Sequence, residues 1–511
     1  MKYPLGIQTF SKIREDDYAY VDKTALVYDL LTTGTAYFLS RPRRFGKSLL
    51  ISTLESIFRG EKALFDGLAI ADTDYEFIEY PVVLFEFTKV LTRRVDDLER
   101  HIINNTNRIA EQYSVELTLE SYEERLEELI RKLYETTGKP VVFLVDEYDK
   151  PILDNLFDEQ LEAVREVLAG FYAVVKQSDR FLKFVFITGV SKFAKISVFS
   201  AMNSLTDISM NRHYALICGI TQSELEGNFQ SAINRLASNE NLERQQLLEK
   251  IKHWYNGYCF HHGAQTVYNP YSLLHLFFEQ EFKNYWFTTA TPTFLLDLLQ
   301  HHQYELKQLT ANEVSIETFA ACEPEHMEPQ SLFVQTGYLT IKQYDEPFYA
   351  LDFPNFEVEK SFYASVASRY GGLGQGQGAS FSLKLIQHLN AKRFDDFFKT
   401  LTVFFANIPN NITIDDEKYY QSLLFAIFKL VGLSVDVEVN SNVGRMDCVI
   451  KLDDTIVIIE FKLNGTKEQA LQQIHDNQYP QMYQLDGKRL LLIGVEFDKA
   501  GRNIAGFVVD E

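Results

Sequence analysis

Two sets of residues in this chain combine types and spacings that suit phosphate chemistry. In the first, Gly46-Lys47-Ser48 lies within TAYFLSRPRRFGKSLLISTLESIF, directly after a short apolar run and at the start of an amphipathic one. Backbone N–H groups at a helix N-terminus cradle an anion, a lysine there reaches the β and γ phosphates of a nucleotide, and the following hydroxyl suits Mg²⁺. Arg44, Phe45, Gly46, Lys47, Ser48 and Leu49 are therefore the expected contacts of ATP. About a hundred residues later, VVFLVDEYDKP ends a second apolar run in Asp146 and Glu147. Asp146 is placed to hold the Mg²⁺ water shell, and Glu147 to polarise the attacking water. The next run, FVFITGVSKF, supplies Thr188, either a sensor of the γ-phosphate or a plain strand-end hydroxyl. Arg212 reads equally as an arginine finger or as a surface residue.

The second set lies in VGRMDCVIKLDDTIVIIEFKLNGT. Asp447 falls on one strand, a tight turn follows, and Glu460-Phe461-Lys462 falls on the returning strand. Alternation puts Glu460 and Lys462 on one face and Phe461 on the other. Asp447 and Glu460 are the expected ligands of one or two Mg²⁺ ions, which polarise a phosphate and lower the pKa of a bound water, while Lys462 positions that water or steadies the developing charge. An ExK tripeptide is common by chance, so the hairpin around it carries the reading. Glu417 or Glu438, on preceding elements, is a candidate further acid. The alternative is a salt-linked strand pair, or a fold that has kept its shape and lost its chemistry.

These residues need rigid elements beneath them. Strands are expected at 35–40, 82–87, 141–145, 184–188 and 214–218, alternating with helices, the pattern of a parallel sheet covered on both faces. From Thr221 the pattern turns helical, and Thr221 with Glu224 has capping-box spacing. Two β-like runs between 331 and 353 suggest a hairpin, GGLGQGQG at 371–378 reads as a flexible linker, and helices at 381–405 and 416–431 lead into three strands over 435–463, a helix near 466–478 and a strand at 489–497. The organisation expected is an α/β P-loop NTPase domain over 1–220, a helical middle region over 221–370, a linker over 371–380 and a restriction-endonuclease-like α/β domain over 381–511.

The phrases VDKT (21–24), SRPRRFGKSLL (40–50), VDEYDKPI (145–152), ITGVSKFAKISVFS (187–200) and YALICGIT (214–221) resemble the bacterial AAA-ATPase-like family whose P-loop reads RPRRFGKS. WYNGYCF (254–260), YNPYSLL (268–274), YWFTTATPTFL (285–295), FVQTGYL (333–339) and LDFPNFEV (351–358) extend the resemblance over nearly the whole chain. It makes Arg41 the expected residue where the general P-loop motif has glycine; Arg41, Arg43 and Arg44 are expected to put three positive charges beside the phosphates, the alternative being that some simply face solvent. It also implies a C-terminal PD-(D/E)XK nuclease-like domain in which Gln473, matched to the family's ALxQI phrase, supports the site. Asn477 stands where that phrase usually continues to a lysine.

Composition limits the partners. The chain has 511 residues, 46% of them hydrophobic, with 71 acidic against 50 basic side chains and a formal net charge of −21. Such a surface repels polyanions as a whole, so nucleic-acid contact must be confined to a local groove. Residues 411–511 hold 10 Lys plus Arg against 16 Asp plus Glu, a poor grip on DNA for that region alone. Cys218, Cys259, Cys322 and Cys448 are widely spaced, which points to free thiols in a reducing compartment. The N-terminus has no apolar signal core and no run approaches a membrane span, so a soluble cytoplasmic protein without membrane contact is expected. His261 and His262 read as a loop, and the aromatics around Tyr285, Trp286 and Phe287 as core in preference to a base-stacking surface. The function expected is an ATPase with a metal-dependent nuclease module acting on DNA, as a homo-oligomer if an arginine finger acts across subunits. Its rival is an ATP-switched scaffold that grips nucleic acid or protein without cutting it.

Overall fold

The computed structural model describes all residues except 90–93, 157, 193–204, 287–294, 297, 300–303, 305, 311–313, 316–327, 372–376, 408–416, 431–433, 441–444, 453, 463–464, 499–502 and 511. The chain divides into two compact units, one of residues Met1–Ala290 with Asn312–Glu357, the other of Thr291–Ala311 with Val358–Glu511.

The first unit is built on β1 (Ala36–Ser40), β2 (Val82–Glu86), β3 (Val141–Asp146), β4 (Leu182–Gly189) and β5 (Thr206–Asp207), in the order β2-β3-β4-β1-β5. Every neighbouring pair is parallel. Every residue of β3 is buried, as a strand covered on both faces requires. Each Val or Leu so buried contributes about 1.5–3 kcal/mol. Helices Lys47–Phe58, Val95–Gln112, Tyr122–Thr137 and Leu161–Gln177 supply the cover. Ser121 caps the third of these by accepting from Glu124 N, and Gly138, at φ 65°, ends it. Because β4 lies between β1 and β3, the loops after these three strands open at one edge of the sheet, where parallel sheets bind ligands.

Four of the five expected strands are present. The fifth, 214–218, is a turn whose Ile217 N donates to Tyr214 O at 3.2 Å, and β5 takes the edge of the sheet instead. Beyond it the expected capping box is present, with Thr221 and Glu224 bonding reciprocally. Helices Gln222–Asn228, Gln230–Glu240, Arg244–Tyr255 and Pro270–Glu279 bury Leu225, Phe229, Leu236, Ile251, Leu276 and Phe277 in a common core. Of the two β-like runs near 331–353, the first begins as a helix, Pro329–Thr336. The hairpin is β7 (Thr340–Asp345) with β8 (Phe348–Asp352), joined by β6 (Val314–Ser315). Of the expected linker, Gly371 ends the helix Phe356–Gly371 and Gln377 begins the helix Gln377–Asn390, while 372–376 lie outside the described residues.

The second unit carries β9 (Ser434–Asn440), β10 (Arg445–Lys451), β11 (Thr455–Lys462), β12 (Arg489–Asp498) and β13 (Asn503–Asp510), ordered β13-β12-β11-β10-β9. Only β11 and β12 pair in parallel, with the helix Lys467–Asp476 crossing between them. That helix packs Ile474 against Val449, Ile456, Ile458 and Leu492. The helix Phe394–Ala406 stacks Phe398 on Phe507 at 4.3 Å. The expected helix over 381–405 is broken at 391–393, and β13 had no forecast in the sequence.

Candidate functional site

In the first unit the loop after β1 turns through two left-handed residues, Arg44 at φ 67° and Gly46 at φ 91°, before the helix Lys47–Phe58 begins. Such turns converge successive N–H groups into an anion-binding nest. The N–H groups from Arg43 to Leu49 have no acceptor among the described residues. Lys47, almost fully buried, folds its ammonium back onto the Arg41 and Pro42 carbonyls at 2.9 and 3.1 Å. Ser48 lies beside the Asp146 carboxylate, whose Oδ1 is buried without a hydrogen-bond partner. Burial raises the Asp146 pKa, opposed by Ser48 and by the charge of Lys47. Glu147 is raised by the same cause, with Lys47 pulling it back. An ammonium, unpaired amides, a hydroxyl and an orphaned carboxylate oxygen suit a phosphate chain with its divalent cation.

Glu147 stands at φ 51°, a conformation that costs a non-glycine residue about 1 kcal/mol or more. Its neighbours hold it there. Asp149, unremarked in the sequence, is fully buried and accepts from Val190 N, Ser191 N and Ser191 Oγ, while the Tyr148 hydroxyl donates to Ser191 O at 2.8 Å. The ends of β3 and β4 are thereby locked together. Thr188 lies beneath them, its hydroxyl donated to Leu39 O at 2.8 Å within the sheet.

In the second unit the register Cys448↔Ile459, carried one residue further, sets Asp447 opposite Glu460. Asp447 N donates to Glu460 Oε2 at 3.3 Å and Phe461 N to Asp447 Oδ2 at 2.9 Å. Gln473 bridges the other two side chains, its Nε2 donating to Glu460 and its Oε1 accepting from Lys462. Glu460 is buried, and burial together with the facing Asp447 drives its pKa upward. A cation between the carboxylates would relieve that repulsion. Among the described residues no group of three or more His, Cys, Asp or Glu side chains is arranged around a metal position. Glu417 opens the helix Glu417–Leu430 and Glu438 lies on β9, with only their backbones described.

Gln473 reaches this site because its helix lies unusually close to the sheet. A Cβ on Gly494, the β12 partner of Glu460, would come within 2.2 Å of Lys467 O. Asn477 turns its amide to the Tyr479 hydroxyl at 2.7 Å.

Comparison with known proteins agrees with both geometries. Residues 4–199 match the family model described as predicted AAA-ATPase, and residues 415–507 match that of the PD-(D/E)XK nuclease superfamily. A protein of Azotobacter chroococcum mcd 1, described as an uncharacterized protein in the vnfD 5′ region, is 38% identical over 529 residues, covering 100% of this chain and 99% of that one. The chain belongs to the AAA-ATPase-like family that carries a C-terminal PD-(D/E)XK nuclease domain.

The family phrases outside the P-loop converge on it. In this AAA-ATPase-like protein Phe45 packs edge-on to Tyr258 of WYNGYCF at 4.7 Å. Gly337 of FVQTGYL lies so close that a Cβ would meet Pro42 Cβ at 2.6 Å. Arg41 differs from expectation. Its guanidinium does not stand beside the phosphate site but is buried, donating to the carbonyls of Ser40, Ser209 and Tyr214 and lying over the Phe260 ring at 4.0 Å. The P-loop backbone leaves β1 here, so the side chain points into the protein and stitches the loop to the 209–214 turn. Arg43 is near enough to Glu147 to lower its pKa, and Arg44 lies over Tyr271 at 4.6 Å. Arg212 is exposed.

A largely apolar cleft opens beside Phe45, Gly46 and Leu49, walled by Tyr20, Val21, Ile217, Ile220 and Leu274. Its walls come from distant segments, so no local pattern marks them. Tyr285 and Trp286 are buried core residues, as expected, while Phe287 lies outside the described residues. His261 and His262 stack on one another, and His262 on Tyr344 at 4.0 Å. Cys218, Cys259 and Cys448 are buried free thiols, and Cys322 lies outside the described residues. No helix among the described residues is long and apolar enough to cross a membrane.

Proposed function

We propose that the first unit binds and hydrolyses Mg-ATP and that the second is a Mg²⁺-dependent endonuclease acting on DNA. The observation that carries the first half is the orphaned Asp146 oxygen beside Ser48, Lys47 and the unpaired amides of Arg43 to Leu49. In this reading the amides and Lys47 hold the phosphates, Ser48 and Asp146 hold the cation, and Glu147 takes the proton of the attacking water. The apolar cleft beside Leu49 suits the adenine ring.

The second half rests on Gln473 joining Glu460 to Lys462 opposite Asp447. Asp447 and Glu460 would hold Mg²⁺, which supplies Lewis-acid activation of water and phosphate, while Lys462 orients the water. The acidic balance of residues 411–511 and the engagement of Asn477 with Tyr479 favour the second reading, an ATP-switched scaffold with a silent nuclease fold.

The deciding experiment incubates single- and double-stranded DNA with the purified protein in Mg²⁺ or Mn²⁺, with and without ATP, beside Lys47→Ala and Asp447→Ala. Cleavage abolished by Asp447→Ala and altered by Lys47→Ala is expected. ATP turnover with no cutting that depends on Asp447 would transfer the assignment to the scaffold.

A further inference from the structure

The family phrase LDFPNFEV ends the first unit with a carboxylate that the reactions above do not use. Glu357 is fully buried, yet both oxygens are engaged: Trp286 N donates to Oε1 at 2.7 Å and Ser272 Oγ to Oε2 at 2.8 Å. Each donor stands one step from the phosphate loop. The Trp286 indole Nε1 donates to the Arg43 carbonyl at 3.0 Å. Ser272 follows Tyr271, whose ring carries the Arg44 guanidinium, on a helix capped by the fully buried Asn269.

We infer that Glu357 is a positioning residue for the nucleotide site, holding Trp286 on the Arg43 carbonyl and the Tyr271 ring under Arg44 so that the loop keeps its phosphate-binding shape. This rests on the reading of that loop as an ATP site. The physical case is that Arg44 holds a left-handed backbone a non-glycine residue adopts only when its surroundings fix it. Arg43 and Arg44 are the residues that the Glu357 contacts reach. A buried carboxylate without strong donors would be expelled or neutralised, and the donors that hold this one, Trp286 N and Ser272 Oγ, are thereby ordered in turn. Burial raises the Glu357 pKa to about 7, the donors opposing.

The test uses the full chain, which has two tryptophans, Trp254 and Trp286. ATPase kinetics are measured for Glu357→Ala, Glu357→Gln, Trp286→Phe and Lys47→Ala. Loss of one hydrogen bond to the loop predicts a KM for ATP about tenfold higher in Glu357→Ala and Trp286→Phe, with kcat within about twofold. Glu357→Gln, which keeps an acceptor for Trp286 N and can donate to Ser272 Oγ, is expected within about threefold of wild type. In Trp254→Phe, ATP is expected to change the emission of Trp286, and adding Glu357→Ala to remove that change. A wild-type KM in Trp286→Phe overturns the inference even if Glu357→Ala fails to fold, as does Trp286 emission indifferent to ATP. If Lys47→Ala turns over ATP as wild type does, the nucleotide site itself is misassigned and this inference falls with it.

Discussion

Glu147 is the residue at which backbone strain and the proposed chemistry coincide. Its φ of 51° aims a half-buried carboxylate from the end of β3 toward Lys47, and Asp149, Tyr148 and Ser191 fix that turn. Glu147→Gln keeps the volume and removes the base, so ATP binding by calorimetry is expected within a few fold of wild type while turnover falls by about 10²–10⁴; unchanged turnover would remove Glu147 from the mechanism. Glu357 gives a pH signature in stability. Its folded pKa, about 7, lies above the ordinary 4.5, so the folded state holds the proton more tightly and its contribution is complete below about pH 4.5 and lost as pH rises toward 7. The groups facing it, Tyr255, Tyr258 and Tyr285, are all raised by burial and stay neutral across that window. Urea unfolding of wild type relative to Glu357→Gln is therefore expected to show an advantage that shrinks by about 3 kcal/mol between pH 4.5 and 7 and is flat above. A difference that grows with pH would contradict the assignment. At this scale the sequence was legible in which residues the fold brings together where they are near neighbours in the chain, as with Lys47-Ser48, Asp146-Glu147 and Glu460-x-Lys462. It was silent on Glu357 and Asp149 because their partners lie 71 and 42 positions away, and it misjudged Arg41 because charge says nothing about the direction of a side chain.

Elements were legible where periodicity and length agree. Strands β1 to β4 and β9 to β12 stand within a few residues of their expected places, since each couples an apolar run to a turn signal on either side. The failures share a cause. YALIC at 214–218 is apolar because Tyr214, Ala215, Ile217 and Cys218 are buried, but burial does not require an extended backbone, and the carbonyl of Tyr214 is needed by Arg41. LFVQT likewise became the helix Pro329–Thr336, whose Gln335 side chain accepts from Lys192 N. The second site adds a packing condition at this scale. Replacing Gly494 by alanine sets a Cβ 2.2 Å from Lys467 O and 2.6 Å from Leu471 N, both backbone atoms that cannot turn aside. The helix Lys467–Asp476 must then lift from β12 and carry Gln473 away from Glu460. A loss of about 1–3 kcal/mol in the stability of the second unit is expected by differential scanning calorimetry, together with weaker Mn²⁺ binding, and ATP turnover unaltered. Retention of wild-type melting and Mn²⁺ affinity would show that the close helix is not what places Gln473.

The whole molecule pairs the two proposed phosphate-handling sites with a net charge of −21, so neither would gain from long-range attraction of its ligand and each would rely on groups at contact distance. In the first unit that contact set is concentrated in one loop and its helix, which makes a ligand-linkage prediction sharp. Mg-ATP at a hundred times its Kd stabilises the state that binds it by about 2.7 kcal/mol. Wild type and Asp447→Ala are expected to show this stabilisation equally in thermal unfolding, because Asp447 belongs to the second unit and the loop to the first. Lys47→Ala is expected to show almost none, since it removes the cation that answers the β and γ phosphates. For DNA the expectation is the reverse, with binding in Ca²⁺ weakened by Asp447→Ala and the logarithm of affinity falling with the logarithm of salt at a slope no steeper than about −3, the signature of a few phosphate contacts in a local groove. A steep slope near −8 would mean that a broad basic surface forms on this acidic chain, and the picture of a confined groove around Asp447, Glu460 and Lys462 would have to be abandoned.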